Sequence, residues 1–324
     1  MRTLIVPCAG SRNINGVPLF LNQHPNGDLL VIKAIRGIFA ENYDRIIVTV
    51  LKSVYERFEV KKRIDEANDR RYPIEIAVLP EETNGPAETV YNSIKIANIS
   101  GELAVRDSHA CISIKKDFRG NFLAGLDLTK YERPIENLRS KSFVTINEQG
   151  QVLDVVEKHF CSDIISTGLY GFKSVHDYVM AFQHLKDSNY SFDKLYISHI
   201  ISYLIGYQQK VFHAEMVTEF EDWSTKTAWQ KVQKSYATCL LDLDQLCESD
   251  GYVQDRIIKN LQRLSRRGTK FIGFTAKAHD ISRIENSLKK NQVEILAVIG
   301  GCTHSKIRTL ISSEAELNEL ILEV

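Results

Sequence analysis

With 324 residues, the chain has the length for two domains, each with its own buried core. Its 41 basic residues balance 41 acidic ones, which argues against a strongly basic nucleic-acid surface, and no apolar run has the length of a membrane span. The opening run MRTLIVPCAG lacks the long apolar core of a secretory signal, so a cytoplasmic location is expected. Six cysteines (8, 111, 161, 239, 247 and 302) form no CxxC pair and no metal-type spacing. Most sit in apolar runs and read as reduced, buried thiols.

The first apolar run, Thr3–Pro7, is a strand that enters a loop punctuated by Gly10, Gly16, Pro18, Pro25 and Gly27. Apolar spacing then predicts a helix over Leu29–Asn42, a strand over Arg45–Leu51, a charged helix over Ser53–Asp69 and a strand over Ile74–Leu79. A helix over Ala87–Ala97 and a strand over Leu103–Arg106, ending at Asp107, continue the alternation. Strands alternating with helices imply βαβ units and a mainly parallel sheet. Farther on, Phe143–Asn147 and Val152–Glu157 flank Glu148-Gln149-Gly150-Gln151 as a hairpin, followed by a strand over Ile164–Phe172 and a helix over Ser191–Ile205. From Thr238 the βαβ rhythm restarts, with a strand into Asp242-Leu243-Asp244 and a helix near Gln254–Arg267. A strand over Lys270–Thr275, a helix over Asp280–Asn291 and a strand over Ile295–Ile299 complete it. The restart alone places a boundary near Tyr236, giving domains 1–236 and 237–324.

Five places in the first domain carry chemistry. Pro7-Cys8-Ala9-Gly10-Ser11-Arg12 follows a strand, where a Gly turn offers backbone N–H groups to phosphate. Thr83-Asn84-Gly85-Pro86-Ala87-Glu88-Thr89 opens a helix with small residues that let a flat base approach. Asp107-Ser108-His109 ends a strand at the sheet's carboxyl edge, where open α/β sheets place their ligands. Glu157-Lys158 ends another strand with a hydrogen-bond acceptor and a cation, and Asp222-Trp223 supplies a further carboxylate. Taken singly, each also reads as an ordinary turn, cap or surface pair.

In their order and spacing these segments resemble the sugar-nucleotidyltransferase family, the sugar-phosphate pyrophosphorylases, and most closely the branch found in capsule and surface-polysaccharide gene clusters. The resemblance spans about residues 1–236 and is most specific at LPEETNGPAETV, VVEKHFCSDIISTGLYGF and EFEDWSTKTAW. It implies an α/β fold of glycosyltransferase-A-like, Rossmann-like type with a mixed sheet. It implies transfer of a nucleoside monophosphate from a nucleoside triphosphate to a phosphorylated small molecule, with release of pyrophosphate. By motif, Gly10, Ser11 and Arg12 lie at the triphosphate, Gly85 and Ala87 near the base, and Glu157, Lys158 and Gly168 at the acceptor. Arg12 and Lys158 screen charge in the reaction. Asp107 or His109, together with Asp222, hold Mg²⁺. The chain departs from the family pattern in the shortened loop AGSR, in Pro18-Leu19 where a Pro-Lys pair is usual, and in DSH where a D-x-D is expected.

Asp242-Leu243-Asp244-Gln245-Leu246 resembles the first motif of haloacid-dehalogenase-like phosphatases. That likeness implies Asp242 as nucleophile, Asp244 as acid, both around Mg²⁺, with Thr275 and Lys306 binding phosphate. The family's closing acidic pair is matched only by Ser312-Ser313-Glu314-Ala315-Glu316, and the unit is too short for a cap. Two alternatives therefore stand beside the transferase: a catalytically degenerate nucleotide- or sugar-phosphate-binding protein, and a phosphatase with the first domain as specificity module. The base, the acceptor and the oligomeric state are left open.

Overall fold

The computed structural model describes residues 1–14, 16–25, 27–133, 135–188, 194–235, 238–247, 253, 255–265, 269–277, 281–293 and 295–301. It divides into two compact units, Met1–Trp229 and Gln230–Val324. The division falls within the helix Lys226–Ser235.

The first unit is built on a nine-stranded mixed sheet. Ile74–Leu79, Arg45–Leu51, Arg2–Pro7 and Glu102–Arg106 lie side by side in parallel. Ile164–Phe172 then pairs antiparallel with Glu102–Arg106, and the hairpin Ser142–Ile146/Val152–Glu157 closes that side. Successive residues of a strand point to opposite faces, so each central strand serves two cores. Leu4, Val6, Ile46 and Val48 pack with Val31, Ile32 and Ile35 of the helix Leu30–Arg36. Ile5, Ile47 and Val105 pack with Val90 and Ile94 of the helix Pro86–Ile96 and with Tyr178 and Ile200 of two later helices. Each fully buried aliphatic side chain stabilises by about 1.5–3 kcal/mol relative to exposure. Continuous apolar strands such as LIV and RIIVTVL thus mark a sheet covered on both faces.

Several elements differ from the sequence reading. The expected helix over Leu29–Asn42 ends at Arg36, because a Cβ on Gly37 would lie 1.7 Å from the Ile112 carbonyl oxygen and the chain must pass close there. A separate 3₁₀ turn, Ala40–Asn42, follows Phe39 in left-handed backbone. The charged helix is two helices, Lys52–Arg57 and Val60–Asn68, broken where Glu59 adopts φ 46°. The helix expected from Ser191 runs over Ile197–Gly206, and residues 191–193 lie outside the described set. The strands Ala110–Ser113, Phe122–Asp127 and His213–Met216, and the helix Val175–Asp187, were not expected, although Val175, Tyr178, Phe182 and Leu185 do have helical spacing and form the buried face of that helix. Of the described cysteines, Cys8 and Cys239 are buried, but Cys161 is exposed and Cys111 and Cys247 are half-buried. Among the described residues no helix is long and apolar enough to cross a membrane.

The second unit carries three parallel strands, Thr238–Asp242, Lys270–Thr275 and Ile295–Gly300. The helices Asp255–Ser265 and Ile281–Lys290 connect them. Leu241, Leu243, Phe271, Ile284 and Leu288 form its core.

Candidate active site

The carboxyl ends of the parallel strands open into a polar cavity of about 380 Å³. Gly10, Ser11 and Arg12 line it after the first strand, Gly85 at a helix start, and Asp107 and His109 after the fourth parallel strand. Glu157, Lys158 and Gly168 also line it. Open space surrounds the point where a Gly10 Cβ would stand. Ala87 is placed differently: it is fully buried behind the wall, and its N–H donates to the Leu195 carbonyl at 3.2 Å. Its contribution is to tie the Gly85 turn to the Lys194-Leu195-Tyr196 segment, which brings Lys194 and Tyr196 to the cavity.

Gly168 sits at the register shift in Ile164–Phe172 with φ 78°, and a Cβ there would lie 2.5 Å from Asp107 Oδ2. Its carbonyl accepts the Asp107 N–H at 2.7 Å. Only glycine satisfies both the left-handed backbone and the close carboxylate. Below it, the fully buried Arg106 donates to the carbonyls of Ala34 (3.2 Å), Thr167 (2.7 Å) and Ala110 (2.5 Å). This guanidinium clamps the Asp107–Ala110 loop and the Gly168 bulge to one anchor.

Burial pushes the Asp107 carboxyl up to about 6, against the pull of Arg106, Arg12 and Lys141. Burial, with the positive charges of Arg12, Lys141 and Arg106, lowers His109 well below the ordinary imidazole range. The Asp107–His109 approach of 3.8 Å therefore joins a carboxylate to a neutral imidazole at neutral pH. Burial likewise pushes the Cys8 thiol up to about 12, which favours the neutral thiol there.

Asp222 is brought to this loop by backbone pairing. Glu219–Asp222 runs antiparallel to Ala110–Ser113 with Asp222 opposite Ala110. The adjoining Trp223, fully buried, donates its N–H to the His109 carbonyl (3.0 Å) and its indole N–H to the Ser108 carbonyl (3.1 Å). The Asp-Trp pair is thus a carboxylate beside the clamp that fixes its partner loop. Asp222 Oδ1 accepts the Ser224 N–H at 2.8 Å, and Oδ2 accepts Lys141 Nζ at 2.5 Å. The Ser224 hydroxyl, in the cavity wall, is buried with no hydrogen-bond partner among the described residues.

Lys141, Ser142, Tyr196 and Ser198 were missed by sequence reasoning. Ser142 Oγ (2.6 Å) and Ser198 Oγ (2.8 Å) both donate to Glu157 Oε2, which fixes that carboxylate. Lys158, at φ 57°, donates its backbone N–H to the Lys141 carbonyl at 3.0 Å and its ammonium to Tyr196 OH at 2.5 Å. A signal existed: extending the expected hairpin by one residue sets Ser142 opposite Glu157, as observed.

In the second unit Asp242 Oδ1 accepts the Asp244 N–H at 3.1 Å. Asp244 accepts Thr275 Oγ1 and the Ala276 N–H (2.8 Å), so Thr275 does meet the acidic pair. Despite the opposing effect of burial, these bonds, the Lys277 N–H and the Lys277 charge lower the Asp244 carboxyl. Lys306 and Ser312–Glu316 lie outside the described residues.

The parallel-dominated mixed sheet of the first unit is shared with solved structures of nucleotidyltransferases, to which this chain is similar in fold. The nucleoside-diphosphate-sugar pyrophosphorylase from Vibrio cholerae RC9 is 18% identical with a TM-score of 0.59, over 72% of this chain and 100% of that one. The inositol-1-phosphate CTP transferase from T. maritima is 15% identical with a TM-score of 0.54, over 70% and 91%. The CTP:phosphocholine cytidylyltransferase from Streptococcus pneumoniae is 12% identical with a TM-score of 0.54, over 72% and 98%. No protein-family model and no curated protein matches the chain.

Proposed function

We propose that the first unit is a nucleotidyltransferase that joins a nucleoside monophosphate to a phosphorylated small molecule, a sugar phosphate or similar, and releases pyrophosphate. The observation that carries this reading is the convergence of Gly10–Arg12, Gly85, Asp107, Glu157 and Lys158 on one cavity within a nucleotidyltransferase fold. A phosphate oxygen of the acceptor attacks the α-phosphorus, the bond to the β-bridging oxygen breaks, and pyrophosphate leaves. Little covalent chemistry falls to the protein, so its residues position groups and screen charge. Arg12 screens the triphosphate, and Lys158 and Lys194 attract the acceptor phosphate. Glu157, held by Ser142 and Ser198, accepts an acceptor hydroxyl, and Gly85, kept as glycine by its φ of 126° and the close Leu195 backbone, lines the wall toward the base.

The resemblance also implies Mg²⁺. Asp107 and Asp222 are hard oxygen donors of the right type, and the unpartnered Ser224 hydroxyl beside Asp222 adds a third oxygen. The neutral His109 is the weaker candidate among these donors. When bound, the ion adds positive charge against the phosphates. Pyrophosphate release from a panel of nucleoside triphosphates with sugar and polyol phosphates tests the reading. Nucleotide binding without release from any pair would leave the degenerate binding protein. That alternative has one specific observation in its favour: Leu19, buried in the cavity wall, stands where the family pattern has lysine.

The second unit supports a second reading, phosphomonoester hydrolysis at a haloacid-dehalogenase-like site with Asp242 as nucleophile, because Asp244 is bonded to Thr275. A place in capsule or surface-polysaccharide assembly follows from the sequence resemblance, and loss of surface polysaccharide on gene deletion tests it.

A further inference from the structure

Lys141 has no counterpart among the expected site residues, yet it occupies the centre of the site. It lies at the start of the strand Ser142–Ile146, lines the cavity, and has a side chain only 8% exposed. Its ammonium is bonded to Asp222 Oδ2, and its charge acts on both Asp107 and His109. Asp222 is itself 7% exposed and is one of the two carboxylates proposed above for the metal. A buried carboxylate bonded to an ammonium has its charge already balanced, so a divalent ion arriving there competes with that ammonium. Next to the pair, bonded to Asp222 through its backbone N–H, stands Ser224, whose buried hydroxyl has no partner among the described residues. Leu19, an apolar residue, lines the same cavity.

We propose that Lys141 is a resident cation that competes with divalent metal for Asp222, and that its ammonium, once displaced, turns to the phosphates of the nucleotide. Metal and triphosphate binding are then coupled through one side chain, and Lys141 supplies the charge that Leu19 does not. The proposal rests on the nucleotide site assigned above, but neither of its tests requires turnover. Failure of pyrophosphate release therefore bears on the transferase reading alone.

The first test measures Mn²⁺ affinity by electron paramagnetic resonance, and triphosphate affinity at saturating Mg²⁺ by calorimetry, for the whole chain and for Lys141→Met and Lys141→Arg. Lys141→Met is expected to bind Mn²⁺ at least ten-fold more tightly and triphosphate at least ten-fold more weakly. Lys141→Arg is expected to bind triphosphate within about three-fold of the unaltered protein. Mn²⁺ affinity unchanged or weakened in Lys141→Met, or no Mn²⁺ binding to any form, overturns the competition. Should Lys141→Met fail to fold, acylation of lysines in the unaltered protein, read by mass spectrometry, decides instead. Labelling of Lys141 should rise several-fold with Mg²⁺ and fall again on adding triphosphate. Labelling indifferent to Mg²⁺ overturns the proposal.

Discussion

Asp107 shows how a single residue's chemistry is set by what surrounds it. Its folded-state carboxyl titrates near 6, above the ordinary value of 3.8, because burial disfavours the charge. A raised acid value means the native state holds the proton more tightly than the unfolded chain does. The stability due to this group is therefore fully present below about pH 4 and is lost as pH rises through about 6. Asp107→Asn, which removes this half-buried charge, should stabilise the ligand-free protein at pH 7.5 by about 1–2 kcal/mol. Urea unfolding of both proteins at pH 4, 6 and 7.5 checks this, and a stability gain that persists at pH 4 would contradict it. The strand-end position of Asp107 was legible in the sequence. Its protonation was not, since that depends on burial in the folded cavity, offset by Arg106, Arg12 and Lys141, the last 34 positions away in sequence.

At the scale of elements, the site depends on where backbone is irregular. The helix after Leu29 stops at Gly37 because Ile112 crosses it, and the strand Ile164–Phe172 bends at Gly168 because the Asp107 carboxylate occupies the space of a side chain. Arg106 joins these irregular places by bonding three buried carbonyls from the helix Leu30–Arg36, the loop end at Ala110 and the bulge. Replacing it leaves all three acceptors buried and unpaired. Arg106→Met should therefore cost about 3–5 kcal/mol of stability. Differential scanning calorimetry checks this value, and a loss under about 1 kcal/mol would refute the clamp. Apolar periodicity found the regular strands and helices because burial on one or two faces writes itself into spacing. It missed Ala110–Ser113, which is only four residues long, and Phe122–Asp127, a short apolar run with no period of its own.

For the whole molecule, the two units carry separate acidic constellations, one at Asp107 and Asp222 and one at Asp242 and Asp244. If the second is a phosphatase site, Asp242→Asn should abolish phosphate release from small phosphomonoesters while leaving pyrophosphate release by the first unit within two-fold. Hydrolysis retained in that variant would remove Asp242 as nucleophile. The sequence by itself determined the alternation of strand and helix, the restart of that pattern after Tyr236, and the identity of five motifs at element ends. These are local matters, fixed by side-chain spacing, glycine and charge within a few residues. Only the tertiary structure decided which motifs meet. It drew Gly10, Gly85, Asp107, Glu157 and Gly168 to one sheet edge and set Ala87 behind the wall. It also seated Lys141 on Asp222, 81 residues away, a pairing that no local pattern encodes because it arises from strand order.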